Sequence, residues 1–196
     1  MIQARLAERL GHTAAAVSEM MRRLRDEGYV AVKGRSVSLT AQGRALSESV
    51  VRKHRLAERL LTDIIGLPWH RSHLEACRWE HVISDEVETR LIDLLGHPTT
   101  CPHGNPIPGT GPAREDLTAL SEARHGDHVR LQRVTEQVEF DLASLEYLSS
   151  CGFVPGREAT VSSRAPDGTL TLDLGEQRSI ALGPALAGQL WVDRVA

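Results

Sequence analysis

Apolar residues in the first forty positions recur first at helical spacing and then in alternation. Residues 4 to 10 bring Leu6, Ala7 and Leu10 to one side, and Gly11-His12-Thr13 interrupts them with turn and capping chemistry. From Ala14 to about Asp26, Val17, Met20, Met21 and Leu24 keep a three-four spacing. Gly28 ends that run. Tyr29 to Lys33, Gly34-Arg35 and Ser36 to Thr40 then alternate around a tight basic tip, the pattern of a two-stranded hairpin. Helix, turn, helix, hairpin is the order of a winged helix-turn-helix.

Thr40 is placed to cap a longer helix reaching about Ile65, with Leu46, Val50, Leu56, Leu60, Leu61 and Ile64 as its inner stripe. Gly66-Leu-Pro68 breaks it. A further helix is predicted from about His70 to Leu95, offering Val82, Val87, Leu91, Leu94 and Leu95 for packing or dimerisation. Residues 98 to 113 hold eight Pro or Gly in sixteen, which predicts a loop or linker and a domain boundary. After it, Arg114 to Ala123 reads as a short helix. Alternation then dominates: Val129–Val134, Ala159–Arg164, Thr169–Leu174, Ser179–Leu182 and Leu190–Val195 read as strands, with Pro166-Asp-Gly168 as a turn. Asp141 to Ser150 reads as a helix, so the tail is predicted as a small barrel of about five strands and one helix.

Composition sharpens this picture in three ways. The chain has 196 residues, 41% hydrophobic and 25% charged, which suits one ordinary or two small globular domains. No apolar run approaches the roughly 20 residues that cross a bilayer, and the first residues lack signal-peptide character, so a cytoplasmic protein is expected. Three cysteines fit reduced thiols better than a disulfide framework. The net charge of −3 is uneven: residues 1 to 60 carry 12 Lys or Arg against 6 Asp or Glu, and the rest 11 against 20. A basic end opposite an acidic one suggests nucleic acid at the first and a cation at the second; a mixed-charge surface is the plain alternative.

Within the first end, Thr13, Ala15, Ala16, Ser18 and Glu19 are candidates to face a DNA groove from the second helix, with Arg5 beside them. The tip residues Lys33 and Arg35 are placed to reach phosphate. In the acidic part, His73, Cys77, Glu80 and His81 fall within an arc of about 100° if their segment is helical. His54 and Glu58, four apart, are neighbours on one face. Thiolate, imidazole and carboxylate together suit borderline metals such as Fe, Co, Ni or Zn rather than Mg or Ca. His97, Cys101 and His103 are candidates for a further metal patch, with exposed loop residues as the favoured expectation. Three ligands with an open position also resemble a catalytic zinc site, although no general-base motif accompanies them.

The stretch Arg52 to Gly66, the motif Glu75-Ala-Cys-Arg-Trp-Glu-His-Val-Ile-Ser-Asp-Glu-Val-Glu88 and the loop Gly104-Asn-Pro-Ile-Pro-Gly109 closely resemble the iron-dependent repressors of the diphtheria toxin repressor family. The resemblance covers essentially the whole chain. It implies a mainly α protein with a small β portion: a winged helix-turn-helix over 1–40, a helical metal-binding and dimerisation domain over 41–97, a Pro/Gly-rich linker over 98–127 and an SH3-like barrel over 128–196. It implies a dimer that binds palindromic DNA operators when loaded with Fe(II), or with Mn, Co, Ni or Zn, and represses metal-uptake genes. Cys77, Glu80 and His81 match the family's primary metal site. His54, Glu58 and His73 match its ancillary site, to which Glu136 and Glu139 correspond as barrel donors, Glu139 replacing the usual Gln. Ser18 matches a DNA-contact position, and Glu19 stands where relatives often carry Gln. Family members begin with a further helix that supplies a Met ligand, and this sequence starts about two dozen residues too late to include it. The rival expectations are a metalloenzyme site, or a metal-binding variant that no longer binds DNA.

Overall fold

The computed structural model describes residues 3–34, 36–111 and 116–195. The chain divides into two compact units, Met1–Val50 and Val51–Ala196.

The first unit opens with α1 (Gln3–Leu10) and α2 (Ala14–Asp26), followed by the antiparallel strands β1 (Val30–Lys33) and β2 (Ser36–Leu39). Thr13 caps α2 in extended backbone, its hydroxyl accepting from the Ala16 N–H at 3.2 Å. Val17, Met21, Val30 and Val37 form a small core, with Leu6, Ala7 and Leu24 packed against it. Met20, expected with that set, is exposed instead, because its position turns away from the narrow stripe that two short helices and a hairpin can cover. Helix α3 (Ala41–Arg59) begins where the Thr40 hydroxyl donates to Gly28 O at 2.7 Å and accepts from the Gly43 N–H at 3.0 Å. Gly43 admits no side chain, since a Cβ there would lie 1.9 Å from Tyr29 O.

In the second unit α3 runs on into a wider, π-helical turn at Leu60–Ile64. Leu56 and Leu61 are buried as predicted, whereas Leu46 and Ile64 are exposed. The single helix expected from His70 to Leu95 is two: after a tight turn at Trp69–Arg71 come α4 (Ser72–Trp79) and α5 (Asp85–Leu94). Ser84 starts the second, accepting from the Val87 N–H at 3.3 Å, and Asp85, Glu86 and Glu88 sit in its first turn, where negative charge is favourable. Ion pairs tie α5 to α3: Arg52 with Glu88, and Lys53 with Asp85 at 2.8 Å.

The Pro/Gly stretch is irregular, as its composition predicts, but it is not an open tether. Cys101, His103, Asn105 and Ile107 are all buried. Arg59 Nε donates to Thr100 O at 2.7 Å, Trp69 Nε1 to Pro102 O at 2.9 Å, and the Val134 N–H to His103 O at 3.0 Å. Gly104, at φ +85°, allows this approach; a Cβ there would stand 1.8 Å from Gln132 O.

The helix expected over 114–123 is replaced, in its described part from 116 on, by other structure. Residues 112–115 lie outside the described set, and Thr118–Ala119 form a short strand, β3, before a single tight turn at Leu120–Glu122. The remaining elements are β4 (His128–Val134), α6 (Glu136–Glu139), α7 (Leu142–Cys151), β5 (Glu158–Arg164), β6 (Leu170–Gly175), β7 (Arg178–Leu182), α8 (Pro184–Ala187) and β8 (Leu190–Arg194). Six strands pair in the order β3-β8-β4-β5-β6-β7, all antiparallel, around a core that includes Leu131, Val161, Leu172, Ile180 and Val192. The tail is an SH3-like sheet with one more strand and two more short helices than alternation predicts. Four-residue helices are too short to show periodicity.

Candidate metal centre and DNA-facing helix

α3 and α4 carry the first donor set. His54 and Glu58 are one helical turn apart on α3, and His73 and Cys77 one turn apart on α4. The two ladders meet: His54 Nε2 lies 3.0 Å from Glu58 Oε1 and 3.1 Å from His73 Nδ1, and His73 Nε2 lies 3.8 Å from Cys77 Sγ. His54, His73 and Cys77 offer donor atoms within 4.8 Å of one another.

The face expected to unite His73, Cys77, Glu80 and His81 is cut short, because α4 ends at Trp79. Glu80 turns instead to His54, with Oε2 at 2.7 Å from Nδ1. His81 is 68% exposed and pairs with Glu80 at 3.2 Å. The residues therefore form a line from Cys77 through His73, His54 and Glu80 to His81 at the surface.

A second donor set lies on the other side of Glu58. Glu58, Cys101, His103 and Glu139 are all buried and bring donor atoms within 4.8 Å of one another. Cys101 and His103, expected as exposed loop residues, are pulled inside by the contacts of the 98–111 loop; His97 stays exposed beside Asp93. Glu139 arrives from α6, where Asn105 Nδ2 donates to it at 2.7 Å and His73 Nδ1 stands 3.6 Å away. Glu136, on the same short helix, points elsewhere and pairs with Arg55 at 3.1 Å. The only sequence signal for Cys101 and His103 was their two-residue spacing in a Pro/Gly loop, and composition does not tell a buried loop from an exposed one.

Electrostatics mark both sets. Burial opposes charge on His54 and His73, but hydrogen bonds to Cys77 and Glu58 outweigh it and raise them to about 10 and about 9. The same two imidazoles bring the Cys77 thiol down to about 7. Burial favours a neutral Glu58, yet His103, His54 and His73 hold its carboxyl well below the usual range. Burial and the Glu58 charge push Glu139 up, and burial with both carboxylates pushes the Cys101 thiol up. Polar capacity is left over: Glu58 Oε2 and both His103 ring nitrogens are buried without an aligned hydrogen-bond partner, although His103 Nδ1 is 3.2 Å from Glu58 Oε1. Such orphaned atoms are costly. Thiol, imidazole and carboxylate around them fit a divalent transition metal, whose binding would take the thiol proton.

In the first unit, Ala15, Ala16, Ser18 and Glu19 lie on the exposed side of α2, opposite Val17 and Met21. Thr13 is occupied as the cap, Arg5 is exposed on α1, and Glu19 pairs with Arg22. Lys33 is exposed at the hairpin; Arg35 lies outside the described residues.

Three family profiles tile this arrangement. The N-terminal DNA binding domain of iron dependent repressors matches residues 2–37, their metal binding and dimerisation domain residues 40–109, and the FeoA domain residues 118–194. The iron-dependent repressor IdeR of Mycobacterium bovis is 41% identical over 206 residues, covering 99% of this chain and 89% of that protein. The chain belongs to the iron-dependent repressor family. Among solved structures of this family, a manganese-dependent transcriptional repressor in complex with manganese covers all of this chain and 91% of its own, with a TM-score of 0.85 at 32% identity. ScaR with bound Cd2+ covers 100% and 92%, with a TM-score of 0.79 at 29% identity. These relatives are named as repressors rather than enzymes. Among the described residues no helix is long and apolar enough to cross a membrane.

Proposed function

We propose that the protein is a metal-dependent DNA-binding transcriptional repressor, with Fe(II) as its principal effector and Mn, Co, Ni or Zn able to take its place. One observation carries the metal half of this reading: a thiol with two imidazoles, and a thiol with an imidazole and two carboxylates, converge within one folded unit, and three buried donor atoms in the second lack an aligned hydrogen-bond partner. The first site is built on His54, His73 and Cys77, with Glu80 and His81 as the remaining donors on its open side. The second is built on Glu58, Cys101, His103 and Glu139, with Glu136 outside it. A bound cation supplies the positive charge that offsets the buried carboxylates and takes up the unpaired nitrogens.

The residues' own work is to position that charge. Glu58 Oε1, within 3.2 Å of nitrogens on His54, His73 and His103, holds the three rings toward one point. Asn105 fixes Glu139 from the neighbouring loop. DNA contact falls to the exposed side of α2, through Ala15, Ala16 and Ser18, with Glu19, Arg5 and the Lys33–Arg35 tip flanking it. α3 carries His54 and Glu58 in one unit and begins in the other, so it is the covalent route from metal to DNA. Functionally the chain divides at 1–40, 41–97, 98–127 and 128–196, with dimerisation in the second part. Two copies place two α2 helices on the halves of a palindromic operator of metal-uptake genes.

Anaerobic mobility-shift measurements on operator DNA selected from random sequence test this directly. Binding is expected with Fe(II) and is expected to vanish with chelator. Equal binding in both states, or none in either, overturns the reading.

A further inference from the structure

A cavity of about 550 Å3 lies between the 98–111 loop and β4, with Arg59, Thr99, Thr100, Cys101, Gln132 and Arg133 in its wall. Its size is within the roughly 300–1,000 Å3 of small-molecule sites. No described residue lining it is acidic, and two are arginines. Their states differ. Arg59 is spent on the wall itself: Nε donates to Thr100 O at 2.7 Å, Nη2 to Thr100 Oγ1 and Cys101 O at 3.3 Å, and Nη1 pairs with Asp63 at 3.2 Å. It is a fixed, oriented guanidinium whose charge Asp63 partly offsets.

Arg133 is held without being consumed. Its guanidinium carbon stands 5.0 Å from the centre of the Trp191 ring, and no described carboxylate pairs with it. Stacking on an aromatic face restrains a guanidinium while leaving its planar N–H fork free. That fork matches the two oxygens of a carboxylate or phosphate. We propose that this cavity binds a small oxyanion carrying two or more negative charges, a dicarboxylate or a phosphate, with Arg133 as its principal contact and Arg59 as the second charge. The site goes beyond metal-dependent DNA binding. Because the 98–111 loop forms its wall and also supplies Cys101 and His103 to the second donor set, anion and cation are linked, and each changes the other's affinity by the same factor.

Isothermal titration of the full chain, carrying Mn(II) and held at constant ionic strength, with succinate and separately with inorganic phosphate, tests the site. Saturable binding of one anion per chain is expected, and the tighter of the two identifies the source. Arg133→Ala is expected to weaken it by about tenfold or more, the loss of a charge-assisted contact. Arg133→Lys, which keeps the charge and stem but not the fork, should fall between and serves if the alanine variant unfolds. Arg130→Ala removes the same charge from the same strand at its exposed pair with Glu158 and should leave binding unchanged. Absence of saturable binding of either anion, or equal weakening by Arg130→Ala and by the Arg133 variant that folds, overturns the proposal.

Discussion

The two donor sets meet where Glu58 of the second touches His54 and His73 of the first, but they are built and exposed differently. His54, His73 and Cys77 come from two helices close in sequence, Cys77 is half-buried, and Glu80 and His81 lead from them to the surface. Glu58, Cys101, His103 and Glu139 come from a helix, a loop and the barrel segment, and all four are buried. An open set made of local elements can exchange its cation with solvent without unfolding anything. A closed set made of distant segments must hold its cation as part of the fold, since its members meet only when the loop and barrel are in place. On this reading the first set senses metal and the second secures the structure around it.

Glu58 is where the comparison breaks most visibly. Glu58→Ala leaves three imidazoles facing one another around a lost carboxylate, and the expected cost is about 3–5 kcal/mol of stability, measured by urea denaturation of the metal-free chain; a loss under 1 kcal/mol would mean the carboxylate is not the hub. Cys77→Ala should leave the fold intact and weaken the metal response of DNA binding by at least about 100-fold, the upper range for loss of an outer-shell partner. A variant with an unchanged response would remove Cys77 from the sensing set.

The pH dependence follows from the imidazoles. His54 and His73 have pKa values raised to about 10 and about 9 in the metal-free chain, above the ordinary 6.5. Their contribution to metal-free stability is therefore fully present below about pH 6.5 and is lost as the pH rises through 9 to 10. A cation must displace those protons, so affinity at the first set should climb between pH 6.5 and 9, by up to about tenfold per pH unit for each proton released. Proton release measured by calorimetry in buffers of different ionisation enthalpy checks it; uptake without release contradicts it. The smallest effect is expected for Trp69→Phe. It removes the bond from Nε1 to Pro102 O, worth about 1 kcal/mol, and should loosen metal at the second set more than at the first.

The elements were legible in the sequence wherever one face is buried against one neighbour. α2 shows it through Val17 and Met21, and β5 and β6 through their alternation. The division of the 70–95 segment was also written there and was overridden: Ser84 followed by Asp85, Glu86 and Glu88 is a helix start, but Val82, Val87 and Leu91 keep a helical spacing across it. Donor types were legible, and so was part of their grouping: His54, Glu58, His73 and Glu139, expected together, each lie within 3.6 Å of another member of that set. The added members were not legible: Cys101 and His103 join Glu58 and Glu139 because the 98–111 loop turns inward on Gly104, and His54 and His73 also reach Cys77. A Pro/Gly-rich composition signals irregular backbone and carries no information on what that backbone covers.

The most direct measurement is a Co(II) titration of the full chain that follows thiolate-to-metal charge transfer in wild type, Cys77→Ser and Cys101→Ser. Two independent cation sites, each with one thiolate, predict two steps in wild type and one surviving step in each variant, the earlier or later depending on which cysteine remains. A single step in wild type, or loss of all thiolate ligation in either variant, contradicts the division into an open and a closed site.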